Sequence, residues 1–134
     1  MELPISAWWQ NPVSFQSPDG RWTATLDDAS EVAMGAPTCG TLRLGERPYP
    51  NCNPSMVWSA DSRFLAIPQW MFSGPSKGMQ RLAIICPDGR WVRSAPGIYR
   101  VLQLERFAAG IVHGIDSPIW NPGRIAIDVN PLLV

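Results

Sequence analysis

The chain has 134 residues and a formal net charge of zero, and 46% of its residues are hydrophobic. This length and apolar content suffice for one domain with its own core, whereas neutral charge argues against a general nucleic-acid surface, which needs basic excess. No segment approaches the roughly 20 consecutive apolar residues of a membrane-spanning helix, so we expect a cytoplasmic protein with no membrane contact.

The first predicted unit covers residues 13–54 and consists of short strands separated by turn residues. Its predicted strands are Val13–Gln16, Arg21–Leu26, Glu31–Met34 and Thr41–Leu44. Ser17-Pro-Asp-Gly20 is the turn between the first two strands, and the acidic pair Asp27 and Asp28 opens the next turn. A loop rich in Pro and Asn then leads to the second unit.

The second predicted unit, residues 55–97, is the clearest antiparallel unit. Its predicted strands are Ser55–Trp58, Arg63–Trp70, Gln80–Cys86 and Arg90–Ser94. Pro68 should restrict its strand to an edge or a bulge, because proline cannot donate a hydrogen bond to a neighbouring strand. Pro87-Asp-Gly89 predicts a tight turn, since proline presets φ and glycine accommodates the exit geometry.

The third predicted unit, residues 98–134, has three strands and ends without a fourth. These strands are Tyr99–Leu104, Arg106–His113 and Arg124–Val129. No run of twelve or more residues has the apolar spacing of an amphipathic helix. The sequence therefore predicts a single all-β domain made of antiparallel strands.

Two motifs recur along the chain with a period of 42 to 43 residues. Asp19-Gly-Arg-Trp22 returns as Asp61-Ser-Arg-Phe64 and, in part, as Glu105-Arg-Phe107. Arg81-Leu-Ala-Ile-Ile85 returns as Arg124-Ile-Ala-Ile-Asp128. A period near 40 with short strands favours propeller-type blades over helical solenoids.

Residues 13–24 and 56–67 resemble the blade repeats of WD40-type and TolB-type β-propellers. The resemblance implies that Ser17-Pro-Asp-Gly20 joins the two inner strands of a blade. We therefore expect antiparallel propeller-like blades in three degenerate repeats. Since propellers generally need four or more blades to close, the repeats should form an incomplete propeller, a sandwich or an irregular barrel.

The sequence carries no recognisable enzyme signature. It lacks the nucleophile elbow, the phosphate-binding loop and the zinc-protease helix motif. His113 is the single histidine, and the cysteines Cys39, Cys52 and Cys86 fit neither a paired disulfide framework nor a zinc knuckle. We expect reduced, mostly buried thiols, no metal, no cofactor and no catalysis.

Tryptophans and one acidic turn are the candidate binding residues. Trp22, Trp58 and Trp91 lie beside predicted turns inside strands, which is typical of core residues. The acidic turn lacks the spacing of a calcium-binding loop, and it is either a solvated turn or a patch that faces a basic partner. The residues that we assign to a partner-binding surface are Asp27, Asp28, Glu31, Trp8, Trp9 and Trp70.

These observations favour a non-catalytic module that binds another protein. Our first hypothesis is a role like that of bacterial immunity proteins, which are small and soluble and neutralise a toxin domain by binding it. In that role the acidic turn would face a basic cleft of the toxin. One alternative is a scaffold or assembly subunit whose third unit is completed by a partner's strand. Another is a small-molecule or carbohydrate binder that uses loop tryptophans as stacking platforms.

Overall fold

The computed structural model describes residues 4–134. These residues form twelve β-strands and one 3₁₀ turn, and the predicted all-β fold with antiparallel sheets is confirmed. The strands are β1 (Val13–Gln16), β2 (Thr23–Leu26), β3 (Ser30–Glu31), β4 (Thr38–Leu44), β5 (Arg47–Cys52), β6 (Val57–Trp58), β7 (Leu65–Trp70), β8 (Gln80–Cys86), β9 (Trp91–Ser94), β10 (Leu102–Ala108), β11 (Ile111–Asp116) and β12 (Gly123–Asp128). The 3₁₀ turn is Asn130–Leu132. Across residues 4–134, no helix has the length and apolarity needed to cross a bilayer.

The strands are arranged in two sheets. The larger sheet has nine strands along the path β1-β2-β4-β5-β7-β8-β9, with β3 paired to β4 and β6 paired to β7. The smaller sheet is the meander β10-β11-β12. Within the larger sheet, β1-β2-β4-β5 and β6-β7-β8-β9 are two antiparallel meanders that meet at the pair Cys52–Gln69. The sheets do not close into a barrel.

The larger sheet bends back on itself. The indole Nε1 of Trp58 donates to the carbonyl oxygen of Phe15 at 2.9 Å, and the backbone N–H of Asp19 donates to Ser62 Oγ at 2.9 Å. These contacts join the β1–β2 hairpin to the β6–β7 hairpin, although β1 and β7 are separated by β2, β4 and β5 in the sheet order. The curvature therefore brings the first two predicted units into direct contact.

The strands β7 and β8 are buried on both faces. Side chains alternate between the two faces of a strand, and here each face has its own apolar core. The first core contains Leu65, Ile67, Ala83 and Ile85 with Leu26, Leu42, Met56 and Trp58. The second contains Ala66, Leu82 and Ile84 with Leu102, Leu104, Phe107 and Val112 from β10 and β11. Burial on both faces explains why the sequences of these two strands are almost continuously apolar.

Two copies of the recurring motif form the same turn. In the first copy, the Asp19 carboxylate accepts from the Ser17 hydroxyl at 2.8 Å and from the Arg21 backbone N–H at 3.0 Å. The equivalent contacts in the second copy, at 2.6 and 3.1 Å, are made by Ser59, Asp61 and Arg63. The hydrogen bonds from the Arg21 backbone N–H and the Ser17 hydroxyl stabilise the ionised form of the Asp19 carboxyl group. The pKa of Asp19 is therefore lower than its usual value.

The third copy of this motif does not form a turn. Glu105 lies inside β10, at a register shift between Leu104 and Arg106. The chain turns later, at Ala109 and Gly110, whose φ angles of 53° and 73° suit a two-residue hairpin turn. The predicted continuous strand Arg106–His113 is therefore wrong, because this turn divides it between β10 and β11.

Pro68 lies in an interior strand, so of the two predicted locations, an edge or a bulge, the edge is wrong. On one side of β7, Pro68 is opposite Leu82 of β8. On the other side the partner changes from β6, which ends its pairing at Ala66, to β5, which pairs at Gln69. Pro68 falls in the gap between these partners, where its missing N–H is tolerated.

The buried amide of Asn53 joins three segments of the chain. Its Nδ2 donates to the carbonyl oxygens of Ala7 and Thr38, both at 2.8 Å, and its Oδ1 accepts from the backbone N–H of Ser55 at 2.9 Å. The indole Nε1 of Trp70 donates to the same Thr38 carbonyl at 2.9 Å. Through these bonds the segment before β1, the start of β4 and the end of β7 are held together.

Replacing Asn53 tests this junction. We expect Asn53→Ala to lower the free energy of unfolding by about 2–3 kcal/mol, because it leaves the buried N–H of Ser55 without its acceptor and removes one of the two donors to each of the Ala7 and Thr38 carbonyl oxygens. Chemical denaturation followed by Trp fluorescence measures the change. The matched control is Asn121→Ala, at an exposed loop position, which should shift the free energy of unfolding by less than about 0.5 kcal/mol. Equal effects of the two substitutions would show that the Asn53 amide contributes little.

Candidate functional site

An open apolar groove of about 510 Å³ is the candidate binding site. It is formed where the segment before β1, the β3–β4 loop, the β7–β8 loop and the β11–β12 loop meet. Its main apolar lining residues are Trp8, Met34, Pro37, Met79, Ile119 and Trp120. Arg100 also lines the groove and supplies a positive charge.

Several of the lining side chains are exposed to solvent. Met34 is fully exposed, Trp120 is 86% exposed and Ile119 is 65% exposed. Isolated exposed apolar residues are ordinary, but a contiguous group of them around a groove marks an interaction surface. Methionine adapts its shape to different partners, and tryptophan is enriched among the residues that dominate binding energy.

Hydrogen bonds hold the N-terminal wall of the groove in place. The Trp8 indole Nε1 donates to the carbonyl oxygen of Gly35 at 3.0 Å, which fixes the ring against the β3–β4 loop. The Thr38 hydroxyl donates to the Trp9 carbonyl oxygen at 2.7 Å. The Thr38 backbone N–H donates to the Ala7 carbonyl oxygen at 3.1 Å. This wall of the groove is therefore fixed before any partner binds.

One residue of the acidic turn, Glu31, contacts the wall of the groove. The Glu31 carboxylate accepts from Gln10 Nε2 at 3.0 Å and from the backbone N–H of Gly35, which lines the groove. Asp28 Oδ1 accepts from the backbone N–H of Thr41 at 2.8 Å. Asp27 is exposed. Asp28 and Glu31 thus help to hold the loops, and the exposed Asp27 carries negative charge towards solvent.

The predicted tryptophans fall into two environments. Trp8 is half-buried in the groove wall and Trp9, its neighbour, is 43% exposed. Trp70 is only 6% exposed, and its ring stacks on Phe72 with centroids 6.4 Å apart. Trp70 therefore does not belong to the exposed surface, because its indole N–H and its ring are both used inside the fold.

Among the groove residues that were not predicted to bind a partner, four have large apolar side chains. They are Met34, Met79, Ile119 and Trp120. Trp120 carried a usable signal, because it lies in a loop between Pro118 and Pro122, where core packing does not account for a large aromatic side chain. The two methionines and Ile119 carried none, since only the fold brings their loops together.

The cysteine thiols are not among the residues that line the groove. Among residues 4–134, no group of three His, Cys, Asp or Glu side chains is placed to hold a metal ion. The three cysteines are free thiols, of which Cys52 and Cys86 are buried. Burial raises the pKa of Cys39 to about 11, with a further contribution from the Asp28 charge, and burial raises the pKa of Cys52 to about 12. Such thiols are poor nucleophiles at neutral pH.

Comparisons with protein-family models, with curated proteins and with solved structures found no match to this chain. The surface consists of an open apolar groove with exposed apolar side chains, one arginine in its wall and Glu31 of the acidic turn at its border.

The raised thiol pKa values predict slow cysteine chemistry. In the native protein at neutral pH we expect Cys39 and Cys52 to react with a disulfide reagent much more slowly than the same thiols in denaturant, because the reactive thiolate is scarce. The rate for Cys39 should rise as the pH approaches about 11. Stopped-flow absorbance measures both rates, and Cys39→Ser identifies the Cys39 phase. Rapid reaction of Cys39 at neutral pH would contradict the burial described above.

Proposed function

We propose that this chain is a non-catalytic protein-binding module and that the apolar groove with its acidic border is the binding surface. The observation that carries the proposal is the exposure of Met34, Ile119 and Trp120 around one groove. Covering these side chains removes apolar surface from water, at roughly 25 cal/mol per Å². The surface of another protein is large enough to cover several of these loops at once.

The charges beside the groove indicate the chemistry of the partner. Asp27 is exposed, and Glu31 contacts a residue of the groove wall. Complementary charge speeds association and aligns the two surfaces. The favoured partner is therefore a protein that presents an apolar side chain next to basic residues.

The particular role that we propose is that of an immunity protein. Such a protein would bind a toxin domain and neutralise it. The acidic turn at Asp27, Asp28 and Glu31 would face a basic cleft of the toxin, while Trp8 and Trp120 would anchor the contact. Support for this role comes from the pairing of acidic and apolar features at one site.

We further propose that the chain consists of degenerate propeller-type blade repeats. The support is the matching set of hydrogen bonds in the turns at Ser17–Arg21 and Ser59–Arg63. The contact between Asp19 and Ser62 places these two turns side by side. Neighbouring copies of one unit would give this arrangement.

The proteins encoded by the reading frames that flank this gene are the probes for the proposed function. Each is purified and its binding is measured by biolayer interferometry. We expect one of them to bind, and we expect Met34→Ala and Trp120→Ala each to weaken binding about 30-fold, which corresponds to about 2 kcal/mol. Asp27→Lys should slow association, and the effect should shrink as salt concentration rises.

The matched control is Val92→Ala on β9, which truncates a side chain that is 46% exposed and does not line the groove. It should bind as the wild-type protein does. Binding that is unchanged by Met34→Ala, Trp120→Ala and Asp27→Lys would exclude this surface. If no flanking product binds and an oligosaccharide panel instead quenches Trp fluorescence, the groove is a carbohydrate site and the protein-binding proposal fails.

A further inference from the structure

The outer edge of β12 is open. β12 pairs with β11 on one side, and no other strand of residues 4–134 pairs with it. On the face of β12 that turns away from the second core, Arg124 and Ala126 are exposed. By contrast, β8, whose sequence β12 repeats, has β7 on one side and β9 on the other. An open edge of this kind is a template for pairing with another strand.

The sequence of β12 is complementary to itself in the antiparallel direction. The strand reads Arg124-Ile-Ala-Ile-Asp128. If two copies pair about a two-fold axis at Ala126, Arg124 lies opposite Asp128 of the second copy, and Ile125 lies opposite Ile127. Directly opposed residues share one face of a sheet. The charged residues therefore meet on the exposed face, and the isoleucines meet on the face that packs on the second core.

We propose that a second copy of this chain binds along β12, so that the two three-stranded sheets join into one six-stranded sheet. Such an interface is isologous, because each strand offers the same residues to the other. Two Arg–Asp pairs form on the exposed face. Within one copy, the Arg124 side chain is 82% exposed and makes one contact, from Nη1 to Glu105 Oε1 at 3.3 Å. The other N–H groups of the guanidinium can therefore donate to a carboxylate of the second copy.

The half-buried isoleucines supply the apolar part of the contact. Ile125 and Ile127 pack at the margin of the second core and stay partly exposed. Pairing would cover both side chains in each copy. A six-residue strand is nevertheless a small contact beside the roughly 1,600 Å² of a standard stable interface. We therefore expect a dimer that forms at micromolar or higher concentration.

This inference does not depend on the proposed function. Neither Arg124 nor Asp128 lines the groove. Failure of the partner-binding test would leave the dimer untouched, and failure of the dimer test would leave the groove untouched.

Charge reversal tests the pairing and its register. Sedimentation velocity of the wild-type protein from micromolar to millimolar concentration should show a monomer–dimer equilibrium. Arg124→Asp alone, or Asp128→Arg alone, places like charges opposite each other twice in the dimer, so each should weaken dimerisation at least tenfold. An equimolar mixture of these two variants should form heterodimers, because acidic positions on one chain then face basic positions on the other. The double variant should dimerise like the wild type.

Arg43→Asp is the control, since it makes the same change of charge at an exposed position on β4. It should dimerise like the wild type. Thermal unfolding of every variant checks that the fold is kept, which matters because Asp128 also accepts from the backbone N–H of Asn130 at 3.0 Å. A wild-type protein that stays monomeric at millimolar concentration, or a dimer that no reversal at Arg124 or Asp128 weakens, would overturn the proposal.

A cysteine at the two-fold axis provides a second test that needs no charge change. Ala126→Cys should form a disulfide-linked dimer under mild oxidation, since the two positions face each other at a distance that a disulfide spans. Gly123→Cys, at the end of the same strand, lies away from the axis and should not form a disulfide-linked dimer. Equal cross-linking of the two variants would contradict the register centred on Ala126.

Discussion

The rest of this structure depends on the amide of Asn53. It is fully buried, and its three hydrogen bonds reach Ala7, Thr38 and Ser55. A buried amide with this many partners is costly to disturb. Because Ala7 precedes Trp8 and Thr38 follows Pro37, the same bonds fix two walls of the groove. The same amide therefore contributes both to the stability of the fold and to the shape of the candidate site.

The strands β7 and β8 belong to the larger sheet and are buried on both faces, so one apolar core lies on each face. The first core covers one face through the curved larger sheet, and the second core covers the other through β10 and β11. This arrangement leaves β12 at the margin, covered on one side by β11. Within residues 4–134, no strand pairs with the outer edge of β12.

Local features of the fold were predictable from the sequence, and long-range ones were not. The turn after Ser17 follows from Pro18, Asp19 and Gly20, which specify its geometry by themselves. The burial of Trp70 could not be predicted from neighbouring residues, because its indole N–H bonds to the carbonyl oxygen of Thr38, which is distant in the chain. Two of the residues assigned to a partner-binding surface, Trp8 and Glu31, both contact Gly35. The remaining groove wall required loops whose approach only the tertiary structure determines.

Hydrogen exchange measured by NMR tests the central claim most directly, because it reports on the bonds around Asn53 without a mutation. The side-chain amide of Asn53 and the indole N–H of Trp70 both donate to the Thr38 carbonyl oxygen inside the fold. Both should exchange as slowly as the backbone amides of β7 and β8, whereas the indole N–H of the exposed Trp120 should exchange rapidly. If the Trp70 indole exchanged as fast as that of Trp120, the junction would not hold the fold or the groove together.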